Sequence, residues 1–358
     1  MAELSPMMKQ YFEIKEKNKD SILFFRLGDF YEMFFDDAKL ASRELDLTLT
    51  GRDCGQKERA PMCGVPFHSC ESYIARLVQK GYKVAICEQT EDPAKAKGLV
   101  KRDIIRVITP GTVIESGMLD EGKNNFISSA FMANKKIGLS FCDISFITEI
   151  SGEDLQDQLQ DQLISYNPRE ILIGGEIVNF KTLPNFIKEK LSASVEMLTD
   201  DEFGYSICLD AMKNQFKEND VNSIKDKKEM VSSVGALLSY LKVTQITGYE
   251  RINTFEVYNE NQYMNLDYNT RRNLELTRTM MNKEKKGSLI WLLDKTKTAM
   301  GKRLLRYWLE HPLLNIGTIL NRQSAIADLV DDTVQRLEIT ESLIGIFDIE
   351  RLMTKIVY

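Results

Sequence analysis

Hydrophobic and polar positions change period several times along the chain. Ser5, with Pro6 just inside it, reads as a helix start, and that helix is expected to run to about Asn18. The apolar run ILFFRL (22–27) reads as a buried strand, followed by a turn at Gly28-Asp29 and a helix through FFDDAKLASREL (34–45). DLTLT (46–50) alternates with period two, as a half-buried strand does. Ser69 begins a helix carrying Ile74, Leu77 and Val78, which Gly81 stops before the strand KVAIC (83–87). A loop rich in Lys, Pro and Gly (92–102) leads into the strand DIIRVI (103–108) and a turn at Thr109-Pro110-Gly111-Thr112. These elements predict an α/β domain over residues 1–115.

A linker (116–125) precedes a second unit. FISSAFM, IGLSFCDIS and ITEI predict closely spaced strands, followed by a helix near 153–165, the strand REILIG (169–174) and a helix near 183–191. Strands first, then strand and helix in alternation, imply a second α/β domain over 126–245. From Val231 the helical period dominates, broken only by the strand-like TFEVY and QYMNL, and residues 246–358 are expected to be mainly helical. Their apolar stripe includes Leu289, Leu292, Leu293, Met300, Leu304, Leu305 and Trp308. The chain stops at FDIERLMTKIVY, within a helical pattern and without a glycine or cap, so it reads as part of a longer protein.

Composition narrows this picture. At 358 residues, 43% hydrophobic and 28% charged, the chain is expected to fold as two or three domains. No apolar run approaches the roughly 18 residues of a spanning helix, and MAELSPMMKQ has no apolar signal core, so neither a membrane span nor a signal peptide is expected. The net charge of −6 does not advertise a polyanion partner, and neither side of residue 120 is basic as a whole. Six cysteines spread thinly over a chain of this size suggest free thiols. Cys63, His68 and Cys70 hint at a metal site, but no CxxC pair exists and His311 is the one other histidine, so no metal is expected.

RLGDFYEMFFDDA (26–38) resembles the signature of the MutS family of DNA mismatch-recognition proteins, whose first domain carries Gly-Asp-Phe-Tyr-Glu-aliphatic-Phe; Met33 takes the aliphatic slot. The resemblance continues in order through PMCGVPFHS (61–69), VAICEQ (84–89), DPAKAKGLVKR (92–102), RVITPGT (106–112), DYNTRRNLELT (267–277) and LLDKTKTAMGKRLLRYWLEHPL (292–313). It implies a mismatch-binding α/β domain, a connector resembling the ribonuclease H fold, and the start of a mainly α-helical core and lever. The family's connector follows Asp-Ile-Ser with Thr-Gly, and Phe146-Ile147-Thr148 departs from that. The family's clamp, ATPase domain and helix-turn-helix dimerisation segment are implied beyond Tyr358. No GxxxxGK[ST] occurs, and Gly301-Lys302-Arg303 has no glycine cradle upstream. This chain is therefore expected to be no enzyme and to hold no cofactor, whereas the full-length family protein is a DNA-stimulated ATPase using ATP and Mg. The implied partners are double-stranded DNA with mismatches or small loops, a second copy in a full-length homodimer, and a MutL-type repair protein. The implied setting is the bacterial cytoplasm, close to the nucleoid.

Carried over from the family signature, Phe30 is the ring that wedges beside a mispaired base, and Glu32 is the carboxylate that hydrogen-bonds the displaced base. Two plainer readings compete on the residues alone. Asp29 and Glu32 have the spacing of a capping box, and Phe30 lies among Phe24, Phe25, Phe34 and Phe35, as a core residue would. Residues two apart share a face only in extended backbone and diverge by about 200° on a helix, so the wedge reading places Phe30 at or before the helix start. Lys95, Lys97, Lys101, Arg102 and Arg106 form the densest basic run of the first domain and are candidates for gripping DNA phosphates, with Arg52 and Arg59 on another turn. KEKKG (283–287) reads as a solvated turn. An enzymatic alternative is a metal-dependent ribonuclease H-type nuclease using Asp143, Glu149 and Glu170. A family paralogue that binds branched DNA is a further alternative, against which a stacking ring argues.

Overall fold

The computed structural model describes residues 4–56, 58–91, 98–113, 115–142, 146–244, 252–257 and 262–355. The chain divides into two compact units, Met1–Val113 with Tyr240–Tyr249, and Ile114–Ser239 with Glu250–Tyr358.

In the first unit α1 (Pro6–Lys17) starts where Ser5 accepts the Met8 amide through its hydroxyl. It is followed by β1 (Ser21–Leu27), β2 (Phe30–Phe34), α2 (Phe35–Leu45), β3 (Thr50–Arg52), β4 (Ala60–Pro66), α3 (Cys70–Gln79), β5 (Lys83–Gln89) and β6 (Arg102–Ile108). The strands form one mixed sheet in the order β3-β4-β2-β1-β5-β6, with β1 and β5 parallel and the other neighbours antiparallel. Strand alternation sends Leu23, Phe25, Phe34, Ala85 and Cys87 to one face, where Met8 and Tyr11 of α1 cover them. The opposite face carries Cys63 of β4, whose thiol donates to the Ala38 carbonyl of α2.

Two expectations give way here, and one strand was not foreseen. The helix read through 34–45 begins one residue later, and the segment before it is strand β2. Chain direction changes at Phe35, which holds a left-handed φ of 53° between strand and helix, a costly conformation for a bulky residue. The aromatic rings of Tyr11 and Phe12 pack on it. DLTLT does not form a strand; pairing is confined to Thr50–Arg52 against β4. Ala60–Pro66, which no sequence pattern suggested, is a strand inside the sheet, flanked by β2 and β3.

The second unit contains β7 (Ile127–Ala133), β8 (Lys136–Cys142), β9 (Phe146–Ser151), α4 (Leu155–Tyr166), β10 (Glu170–Gly175), α5 (Leu183–Phe186) running into a π-turn at Ile187–Leu191, and β11 (Ser194–Met197). It continues with α6 (Tyr205–Gln215), α7 (Glu218–Ile224), α8 (Lys228–Thr244, of which the part up to Ser239 falls in this unit), β12 (Glu256–Val257), α9 (Tyr268–Asn273), α10 (Leu289–Leu293), α11 (Ala299–Glu310), α12 (Ile316–Asp331), α13 (Thr333–Leu343) and α14 (Ile349–Lys355). The sheet order is β11-β10-β7-β8-β9-β12. Leu159, Leu163 and Tyr166 of α4 pack on one face against Ala130, Leu139, Phe141 and Ile171. On the other face α8 approaches so closely that a Cβ on Gly138 would lie 1.9 Å from the Glu229 carbonyl oxygen, so only glycine fits there.

The sheet region and the helical region after it fall within this one unit. They are joined at a partly buried cluster in which Ser165 and His311 lie 2.7 Å apart, Oγ to Nε2, and Arg271 donates to Ser165 and to the Glu310 carbonyl. Of the strand-like segments, TFEVY contributes only Glu256–Val257, and Tyr263 of QYMNL bridges Leu313. Arg303 is buried in α11 and forms a bidentate pair with Asp348 at 2.7 Å to each oxygen. Along the apolar stripe, Leu292, Leu293, Leu304 and Trp308 stand on the surface of the unit. No described helix is long and apolar enough to cross a membrane.

Candidate functional site

The hairpin joining β1 to β2 has a two-residue loop, Gly28-Asp29, closed by the pair Leu27 and Phe30. Gly28 adopts φ +56°, which such tight loops favour and which glycine adopts without strain. On the far side, the Phe67 amide donates to the Asp29 carbonyl at 2.9 Å, tying the loop to the segment that follows β4.

This geometry bears on the two plainer readings of Phe30 and Glu32. Residues 30–34 are extended, so Asp29 and Glu32 form no capping box, and Phe30 and Glu32 project from the same face of β2. Phe30 is 46% exposed at the strand tip, while Phe24, Phe25 and Phe34 are fully buried. Tyr31 and Met33 alternate with them into the opposite, buried face. The one ring of the aromatic run left free to meet a partner is therefore the one beside an acidic side chain. Glu32 faces Gly64 across β2 and β4; a Cβ at Gly64 would come within 3.4 Å of the Glu32 Cγ, so the glycine keeps space open around the carboxylate.

Glu32 is ion-paired with Arg52 from β3. Arg102 is enclosed: its Nε donates to the Arg26 carbonyl at 2.8 Å, its fork reaches Gln10 and the Val100 carbonyl, and its guanidinium lies 5.0 Å from the Phe25 ring. Burial, with Arg52 nearby, lowers its pKa. Arg106 is only 9% exposed and donates to the Thr112 carbonyl at 2.9 Å, so it braces the turn that follows β6 and is withdrawn from the candidate phosphate contacts. Arg59 and Lys101 are exposed. Lys95 and Lys97 lie outside the described residues.

Sequence reading missed a second layer behind the hairpin. Arg26, on the face opposite Phe30, donates through Nε to the Gly28 carbonyl at 2.6 Å and pairs with Glu88 at 3.2 Å. Its guanidinium carbon sits 3.7 Å from the centre of the Phe67 ring, itself 40% exposed. Glu88 also accepts the Tyr31 hydroxyl, whose pKa is raised by burial and by that carboxylate. The signal was present, since Arg26 lies in the same signature block as Phe30, but nothing in a linear sequence shows that Glu88 and Phe67 converge on it.

Other candidate chemistry does not assemble. Glu149 and Glu170 stand on β9 and β10, which two further strands separate, roughly 14 Å at one strand spacing per step. Two-metal hydrolysis needs ions about 4 Å apart. Asp143 lies outside the described residues. Cys63 points into the core and its thiol is pushed up to about 11 by burial, as is that of Cys70. Among the described residues no group of three His, Cys, Asp or Glu is placed to hold a metal ion.

Comparison with known proteins accounts for nearly the whole chain. Family models described as MutS domain I, MutS domain II and MutS domain III match residues 5–117, 125–256 and 269–358, respectively. The DNA mismatch repair protein MutS of Ruminiclostridium cellulolyticum is 50% identical over all of this chain and 41% of its own length. The proteins of the same name from Acetivibrio thermocellus and Clostridium tetani are 49% and 45% identical, over 100% and 99% of this chain and 41% and 40% of their own lengths. The chain thus spans about two fifths of the length of the curated relatives it matches.

Proposed function

This chain belongs to the MutS family of DNA mismatch repair proteins, and from that premise we propose that it reads mispaired or looped duplex DNA with Phe30 and Glu32. The observation that carries this reading is the half-exposed Phe30 ring at the strand tip, sharing a face with Glu32, in a segment whose other rings are packed away.

An aromatic ring entering the minor groove unstacks a base step and kinks the duplex. The wedge tolerates any base because every base offers a π-face. Discrimination arises in the DNA, since a mispair is already poorly stacked and costs less to open and bend than a matched pair. Glu32 accepts a hydrogen bond from an N–H of the displaced base. Arg52, paired with that carboxylate, offsets its charge near the phosphates. Arg59 and Lys101, with Lys95 and Lys97 of the neighbouring loop, are the candidates for gripping the backbone, which positions the protein without reading sequence.

The strand order β9-β8-β7-β10-β11, antiparallel through its first three strands and parallel thereafter, supports a ribonuclease H-like connector. In the whole protein, homodimerisation, an ATPase using ATP and Mg, and recruitment of a MutL-type partner belong to the same reading, as does a cytoplasmic setting beside the nucleoid. The test is binding to two duplexes that differ only in one G·T pair. Preference for the G·T duplex is expected, and equal affinities would overturn the reading.

A further inference from the structure

We infer that Arg26 is the positioning residue of the wedge: it fixes the Gly28-Asp29 loop from behind so that the Phe30 ring is presented in one orientation. The inference rests on the reading of Phe30 as the wedge, but its physical content is independent of DNA.

Three contacts converge on one guanidinium. Nε holds the Gly28 carbonyl at 2.6 Å, one terminal nitrogen holds Glu88 of β5 at 3.2 Å, and the flat face is stacked 3.7 Å under Phe67. Phe67 in turn donates its backbone amide to the Asp29 carbonyl, so the residue stacked on Arg26 also holds the second residue of the loop. Glu88 is held a second time by the Tyr31 hydroxyl, from the residue that follows Phe30. Phe30 itself is the first residue of β2 and is left 46% exposed at the tip of the strand. A ring that must push into a base stack acts only as well as its backbone resists being pushed back. Arg26 supplies that resistance from the opposite side of the sheet, without touching DNA. A lysine cannot take its place, because an ammonium lacks the planar fork that bonds a carbonyl and a carboxylate while stacking on a ring.

The experiment compares Arg26→Gln, Arg26→Lys, Phe67→Leu and Phe30→Ala in this chain by two readouts. The first is amide hydrogen exchange. In both Arg26 variants the Phe67 amide is expected to exchange about ten- to hundred-fold faster, while the Leu23 amide, bound to Asp37 in the core, keeps its rate. Phe67→Leu removes the stacking lid alone and guards against a general loss of fold; it should speed exchange at residue 67 in the same direction. Unchanged exchange at residue 67 in Arg26→Gln overturns the inference. The second readout is the ratio of G·T to matched affinity, which Arg26→Gln is expected to lower by about tenfold with matched affinity unchanged. If Phe30→Ala abolishes the preference and Arg26→Gln leaves it intact, Arg26 is not the positioning residue. If Phe30→Ala leaves the preference intact, the wedge reading fails, and the exchange result alone decides whether Arg26 holds the loop.

Discussion

Replacing Phe30 by Ala separates a binding role from a packing role, because the structure assigns the two different magnitudes. A fully buried phenylalanine costs about 3–5 kcal/mol on truncation to alanine. Phe30 keeps 46% of its surface in water, and the cavity contribution is absent at a strand tip, so the expected loss of stability is about 1 kcal/mol. In a unit of this size that lowers the melting temperature by roughly 5 °C. Base–aromatic stacking contributes about 1–3 kcal/mol, so losing it lowers affinity for a G·T duplex by roughly 5- to 150-fold. Affinity for the matched duplex should hardly move, because a matched step is not opened. Thermal melts alongside fluorescence-anisotropy titrations of the two duplexes at one fixed salt concentration measure both quantities. A Phe30→Ala protein that melts roughly 15 °C early yet still prefers the mismatch refutes the argument, for it makes the ring a core residue.

Glu32→Ala should lower G·T preference as well, while costing at most about 1 kcal/mol of stability, since the ion pair with Arg52 is partly solvated and no helix cap is lost. Charge reversal at Arg59 or Lys101 should weaken matched and mismatched binding alike and flatten the salt dependence by about one unit of slope per lost phosphate contact; a selective loss on the mismatch would mean that these groups read bases. Arg106→Glu should instead lower the melting temperature, visible without DNA, because that side chain is buried on the Thr112 carbonyl. Burial and the neighbouring Arg271 hold the His311 imidazole down at about 4 from an ordinary 6.5, so the unfolded chain takes up a proton first as pH falls. Stability carried by neutral His311 is therefore whole above pH 6.5 and is lost between there and pH 4, on the order of 3 kcal/mol. His311→Gln should flatten that part of the melting-temperature profile, and an unchanged slope would place the titration elsewhere.

Local chemistry determined several elements outright. The Ser5-Pro6 start of α1, the apolar run of β1, the Ile74, Leu77 and Val78 stripe of α3 and the β5 strand all follow from caps and periodicity within a few residues. The resemblance to the family signature, and not local periodicity, pointed to Phe30 and Glu32 as the candidate site. Only tertiary structure decided its conformation: Phe30–Phe34 is too short for period two to outvote period 3.6, and pairing with both β1 and β4 made it a strand. Residues Ala60–Pro66 carry Gly64 and two prolines, poor strand formers, and extend because neighbours on both sides supply hydrogen bonds. Burial of Arg106, the enclosure of Arg102 and the meeting of Arg26, Phe67 and Glu88 join residues far apart in sequence. Such contacts depend on register and on strand order, which a one-residue shift in pairing would exchange between faces, and no local pattern in the chain encodes them.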